Sequence, residues 1–342
     1  MTEANFRNQR RQKFLTEKYF QLNYAFCKDE IAQNTATINS KQFLPSEIPY
    51  SGIPGSSFKN QLKLIRLTFT SGASIDSLHQ LYTDAVNFFE IWHQAYREYI
   101  AELARTGEEE LRDDGSPCYF EDLFHFQLVL EIISLGVLLG ESDKVRQIVT
   151  WLSRYRHTDM MFESIVEQYV TDPSKTETFF HEAPYGLLLD AIYTAQTSEE
   201  ASAYVQSYLD NWYKSFEGVP WHNGHLVQTE EYSNYEGYWA FEAAAVCVLY
   251  GIDDTSFRDH LVYPRDLADW ARANHVLDRI NPVNSSDIKL RCEAGQPCPQ
   301  AGYWFTPAKA DSRRAFKQGD IMPAVDSAYG ATIWQWDADQ QN

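Results

Sequence analysis

Residues 238–251 read YWAFEAAAVCVLYG, apolar nearly all round. A helix with no polar face has no side to offer water, so it belongs at the centre of a fold with other helices packed about it. Gly251 follows the last apolar residue, where helices end most readily because glycine tolerates the left-handed turn that closes them. The expected element is a central, buried helix over 238–250.

Working outward, most of the chain is written in helical period. From Ile75 to Leu103, apolar groups fall at Leu78, Leu81, Tyr82, Ala85, Phe88, Phe89, Trp92, Tyr96, Ile100 and Leu103. Steps of three and four make one stripe, an amphipathic helix of about eight turns at 3.6 residues per turn. Thr197, with Glu200 three residues on, predicts a capping box. Behind it comes a stripe of Ala201, Tyr204, Val205, Tyr208, Leu209 and Trp212. Runs 123–139, 145–155 and 161–169 share the spacing. Segment 42–57, with three prolines and two glycines, reads as a long loop. In the last fifty residues prolines and glycines break any helix, and the short aromatic pieces 302–306 and 331–336 suit small strands.

The 342 residues exceed one comfortable hydrophobic core. The expected fold is therefore mainly α, a multi-helix bundle with a small β-containing C-terminal appendage. Its expected parts are an N-terminal helical domain over 1–170, a second helical domain over 171–280 and a β-rich tail over 281–342. The first boundary is placed where a helix gives way to Thr171-Asp172-Pro173-Ser174.

Twenty-nine Lys and Arg against 48 Asp and Glu leave a net charge of −19. Such a field repels phosphate backbones and attracts basic partners, so direct nucleic-acid binding is not expected. The opening MTEANFRNQRRQKF has no apolar stretch behind its charges, and window 123–139 still carries His125, Gln127 and Glu131. Neither a signal peptide nor a membrane span is expected, and a soluble, cytoplasmic protein is. Five irregularly spaced cysteines imply no disulfide framework.

The candidates for chemistry are thin. His222 and His225 flank a glycine and follow Pro220, which suits a turn better than a metal-binding helix, so no metal or cofactor is expected. Cys292 and Cys298, six apart, do not have knuckle spacing. Glu231, Glu236 and Glu242, among Trp221, Tyr232, Tyr235, Tyr238 and Trp239, could line the cleft of a helical-toroid carbohydrate enzyme as paired acid and base. The bland alternative for Glu242 is a carboxylate accepting hydrogen bonds from buried partners.

The stretch YEGYWAFEAAAVCVLYGIDDTSFRDHLVYPRDLADWAR, residues 235–272, resembles the C-terminal domain of the PoNi immunity family. The matching residues are Tyr235, Gly237, Tyr238, Trp239, Phe241, Glu242, Ala243, Gly251, Asp253, Asp254, Tyr263, Pro264, Asp266 and Leu267. Residues 6–115 look similar, more loosely, to the family's N-terminal domain, and residues 295–336 to a tail on several immunity proteins of type VI secretion toxins. The resemblance implies an all-helical, non-enzymatic protein that protects its producer from a cognate toxin, a nuclease of the PD-(D/E)xK class acting on DNA in the cytoplasm. It supplies no catalytic residues.

A nuclease must present a basic cleft to DNA, so an inhibitor gains from an acidic face. The acids gather in two places. Residues 105–122 hold seven against two arginines, and residues 199–242 hold eight against Lys214 alone. The toxin-contact candidates are accordingly Glu108, Glu109, Glu110, Asp113 and Asp114 in the first, and Glu230, Glu231, Tyr235 and Glu236 in the second. The first cluster reads equally well as a solvated helix-to-loop surface. Binding one-to-one or as a homodimer fits the sequence.

Overall fold

A computed structural model describes residues 3–40, 52–106, 116–174, 176–280, 291–306, 309, 312–325 and 332–337. Eleven α-helices are formed among these residues: α1 Glu3–Gln9, α2 Glu17–Ser40, α3 Ile53–Thr70, α4 Leu78–Thr106, α5 Leu123–Leu138, α6 Ser142–Trp151, α7 Met160–Val166, α8 Glu182–Tyr193, α9 Ser198–Ser215, α10 Phe241–Tyr250 and α11 Arg265–Ala273. The chain divides into two compact units, 1–280 and 281–342.

In the first unit α3 lies between α2 and α4, while α5 touches α4, α6, α7, α10 and α11. Helices α5 and α10 are thus the centre, as their compositions demand: nine of the ten residues of α10 are buried. The α4 stripe buries Leu78, Tyr82, Ala85, Val86, Phe89, Trp92 and Tyr96, in helical steps along one face. The cap of α9 forms as expected: Thr197 Oγ1 accepts the Glu200 N–H at 3.2 Å, while the Glu200 carboxylate reaches back to the Gln196 N–H at 2.7 Å. Gly251 closes α10 at φ +67°, in the left-handed region. Among the described residues no helix is long and apolar enough to cross a membrane.

Two expectations need correction. The central helix begins at Phe241, not Tyr238, because residues 235–240 are non-helical and bond to other parts of the chain. The loop over 42–57 ends early: residues 53–57 open α3. Pro54 sits in the first helical turn, where its missing N–H has no intrahelical acceptor to leave empty. Residues 41–51 lie outside the described residues.

The second unit is a four-stranded antiparallel sheet of β1 Arg291–Glu293, β2 Gly302–Phe305, β3 Arg314–Phe316 and β4 Ile333–Trp336, in the order β1-β4-β2-β3. Trp304 pairs with Trp336, and Cys292 with Trp334. One face therefore gathers the three tryptophans with Cys298 and Met322 into a small core of its own.

Candidate functional site

The non-helical segment 235–240 leads into α10 and gathers bonds from distant parts of the first unit. Gly237, at φ +105°, turns it where a side chain would be strained. An added Cβ there would lie 2.2 Å from Thr70 Oγ1 and 2.7 Å from Trp239 Nε1. Those two atoms hydrogen-bond each other at 2.8 Å. Gly237→Ala is therefore expected to cost about 2–4 kcal/mol from backbone strain and a broken buried hydrogen bond. Chemical denaturation measures it, and a loss under 1 kcal/mol would refute this account of the turn.

Tyr235 is completely buried, donating its hydroxyl to Gln12 Oε1, which also accepts the Tyr238 N–H at 2.9 Å. The Gln12 amide nitrogen donates to the Tyr238 carbonyl, so one side chain from the connection between α1 and α2 pins the segment on both sides. Glu236 meets Arg66 at 3.1 Å. Arg66 also donates to both oxygens of Glu131, at 2.7 and 2.6 Å. All three side chains are nearly enclosed, at 12% exposure for Arg66, 6% for Glu131 and 11% for Glu236. Burial alone would lower the guanidinium pKa, but the two carboxylates hold it above the usual arginine range. Burial raises the Glu131 carboxyl, with the Glu236 charge adding to the effect. Tyr235 and Glu236, expected at a contact surface, are interior in this fold. The physical reason is that the groups around them, Gln12 between α1 and α2, Arg66 on α3 and Glu131 on α5, come from parts of the chain far away in sequence.

Glu242 is enclosed too, its Oε1 accepting the Tyr208 hydroxyl at 2.5 Å and the Trp212 indole N–H at 2.9 Å. Burial pushes its carboxyl up to about 7. Glu231, by contrast, is exposed. A glycosidase needs two carboxylates reaching one bond from solvent. Glu231, Glu236 and Glu242 do not share such a face, because Glu242 is spent on core donors and Glu236 on Arg66. Trp212 and Trp221 stack at 5.0 Å within the core, and Trp221 donates to Gln127 at 2.8 Å. The tryptophans pack the interior and line no cleft.

What the second acidic cluster does offer to solvent is a short hairpin. Gln228 and Ser233 form an antiparallel bridge, and Thr229 Oγ1 accepts the Glu231 and Tyr232 N–H groups at 3.2 and 3.1 Å. Glu230 and Glu231 sit at its tip, Glu230 pairing with Lys18 at 2.6 Å. No sequence signal marked this hairpin, because its turn lacks the Asn-Gly or Asp-Gly of common two-residue loops. The first cluster, Glu108, Glu109, Glu110, Asp113 and Asp114, lies outside the described residues.

The matching residues after the central helix are also structural. Asp254 accepts from Arg272 at 2.6 Å, from the Tyr263 hydroxyl at 2.8 Å and from Arg258 at 3.3 Å. Asp266 holds Arg11 at 2.8 Å, and Arg11 in turn donates to the Phe69 and Ala73 carbonyls. The α1–α2 connection and α11 are thus locked together by a charge-assisted bond.

Comparison with known proteins agrees with this joint construction. The profile of the PoNe immunity protein (PoNi), N-terminal, matches residues 11–151, and that of PoNe immunity proteins (PoNi), C-terminal, matches residues 157–267. Among solved structures, the chain is similar in fold to protein PA2201 from Pseudomonas aeruginosa. The TM-score is 0.62 at 19% identity, over 80% of this chain and 96% of that one. No curated protein matches in sequence. With both halves of the family's pattern present and sharing one core, the chain belongs to the PoNe immunity protein (PoNi) family.

Proposed function

We propose that this protein binds a PoNe-type nuclease toxin in the cytoplasm and neutralises it by protein–protein contact, with no catalysis and no cofactor. The observation that carries the reading is the family match over 11–151 and 157–267, two segments interlocked through Arg66, Gln12 and Arg11. The chemistry of the interior supports it. Of the carboxylates that looked catalytic, Glu236 and Glu242 are occupied by buried donors, while Glu231 stands apart from them in solvent. The partner is a basic protein, since a nuclease must hold DNA, and steering between opposite fields speeds such encounters. The same negative field keeps this chain off nucleic acid, and it takes no membrane partner.

The test is co-expression with the toxin encoded beside the gene. Rescue of growth and a co-purifying complex are expected; absence of both would sink the proposal. Binding is expected to weaken as salt rises, and Glu230→Lys with Glu231→Lys to slow association by about tenfold with little change in melting temperature. Charge reversal over Glu108, Glu109 and Glu110 tests the other cluster, with Asp113 and Asp114, in the same assay. Unchanged affinity and salt dependence would remove it as a contact. Sedimentation of the complex separates one-to-one binding from binding as a dimer.

A further inference from the structure

Nine large hydrophobic side chains stand out in solvent among the described residues; Leu22 and Phe26 are on α2, Val227 and Tyr232 on the hairpin, and Leu226 in the short turn just before it. Phe26 is 57% exposed and Leu226 70%. The two elements touch. Tyr19 donates its hydroxyl to the Thr229 carbonyl at 3.2 Å, Asn23 donates to the Tyr235 carbonyl at 3.0 Å, and Lys18 meets Glu230. Tyr19, Leu22 and Phe26, and likewise Tyr19, Asn23 and Phe26, are spaced by three and four residues, so the four lie along one side of the helix. Leu22 and Phe26 therefore extend the side of α2 that carries the hairpin. The hairpin is held by its own turn bonds, so it presents its side chains without further ordering. Apolar groups gathered in this way on an otherwise polar surface mark an interaction face.

We propose that this face, the hairpin 227–234 with the turn residue Leu226 and the exposed side of α2, is where the basic toxin docks. The inference rests on the functional reading above and specifies its interface: an apolar and aromatic patch tipped by Glu230 and Glu231. Charge decides the occupant. Residues 1–280 carry 23 Lys and Arg against 41 Asp and Glu, so a second copy is repelled while a basic partner is drawn in. The Lys18–Glu230 pair is solvent-exposed, worth little by itself, and Glu230 can exchange Lys18 for a cation of the partner at small cost. Phe26 and Tyr232 are the aromatic anchors such an interface needs at its centre.

The test uses the full chain and the toxin encoded beside it. Phe26→Asp and Tyr232→Ala, singly and together, are expected to weaken Kd at least tenfold each and at least a hundredfold together, with melting temperatures unchanged. Ile321→Asp, as exposed but in the other unit, is expected to leave Kd alone. Toxin binding should also slow amide exchange in residues 227–234. If wild-type protein binds and these variants bind equally well, or the hairpin gains no protection, the docking face is wrong and the immunity reading stands. If wild-type protein fails to bind at all, the immunity reading itself falls. A large drop in melting temperature for Phe26→Asp would assign the patch to packing within the chain. A wild-type dimer made monomeric by that variant would assign it to self-association. Either result overturns the proposal.

Discussion

Arg66→Ala is expected to destabilise the helical unit by about 3–5 kcal/mol, the cost of stripping a buried ion pair of one partner. Arg66 lies between two enclosed carboxylates, Glu131 on the central helix α5 and Glu236 on the segment before α10. Its removal leaves both without their common partner in a region where ionisation is already disfavoured for Glu131. Thermal unfolding should then move down by roughly 10 °C for a unit of this size. Adding Glu131→Gln to Arg66→Ala should recover part of the loss, because one of the two stranded charges is gone. That recovery, a coupling energy of about 1–3 kcal/mol, is the signature of a network rather than of general damage. A loss below 1 kcal/mol for the single variant, or strict additivity in the double, would show that water already reaches the site and that the triad does not join the two matched segments.

Arg66, Glu131 and Glu236 also mark where the sequence stops being legible. Local period located the elements well, since an apolar stripe of 3.6-residue spacing has to face a core. Hence α4 and α9 are recovered nearly to their ends, and the aromatic pieces of the tail do pair as β2 and β4. The misreadings have a common physical form. Residues 238–240 look helical because they are apolar, but their conformation is set by Gly237 and by Gln12, more than two hundred residues away. Tyr235 and Glu236 look like parts of an acidic surface because their neighbours Glu230 and Glu231 are, yet an isolated sequence does not say which acid will find a buried arginine. Residues 53–57 look like a loop because proline and glycine are loop residues as well as helix-start residues. The docking face was missed for the converse reason. Leu22 and Phe26 are one helical turn apart, a spacing that does not say by itself whether they face a core or solvent.

Glu242→Gln is expected to flatten the pH dependence of stability between about pH 5 and 7. In the folded chain burial holds the Glu242 carboxyl up to about 7, against 4.5 as its ordinary value. Between those values the folded state keeps a proton that the unfolded state has released. Raising the pH therefore favours unfolding, and the sign is a loss of stability across that window that levels off above it. A shift of this size corresponds to about 3 kcal/mol over the full range at 1.36 kcal/mol per unit. Glutamine keeps the acceptor for Tyr208 and Trp212 and carries no charge, so the variant should lose the slope while keeping the fold. Glu242→Leu removes the acceptor as well and should cost about 2–4 kcal/mol at every pH, since two buried donors lose their partner. A wild-type slope retained in Glu242→Gln would mean that another group, such as Glu131, sets the dependence. A carboxyl near neutrality in an aromatic setting is also what a general acid looks like, and perturbed values do gather at active sites. Here the same perturbation comes from enclosure, with the carboxylate engaged by Tyr208 and Trp212 on α9 as part of what binds that helix to α10. Activity is the wrong readout for such a group and stability the right one: the effect of changing it should appear in the pH profile of unfolding, in the presence or absence of any toxin.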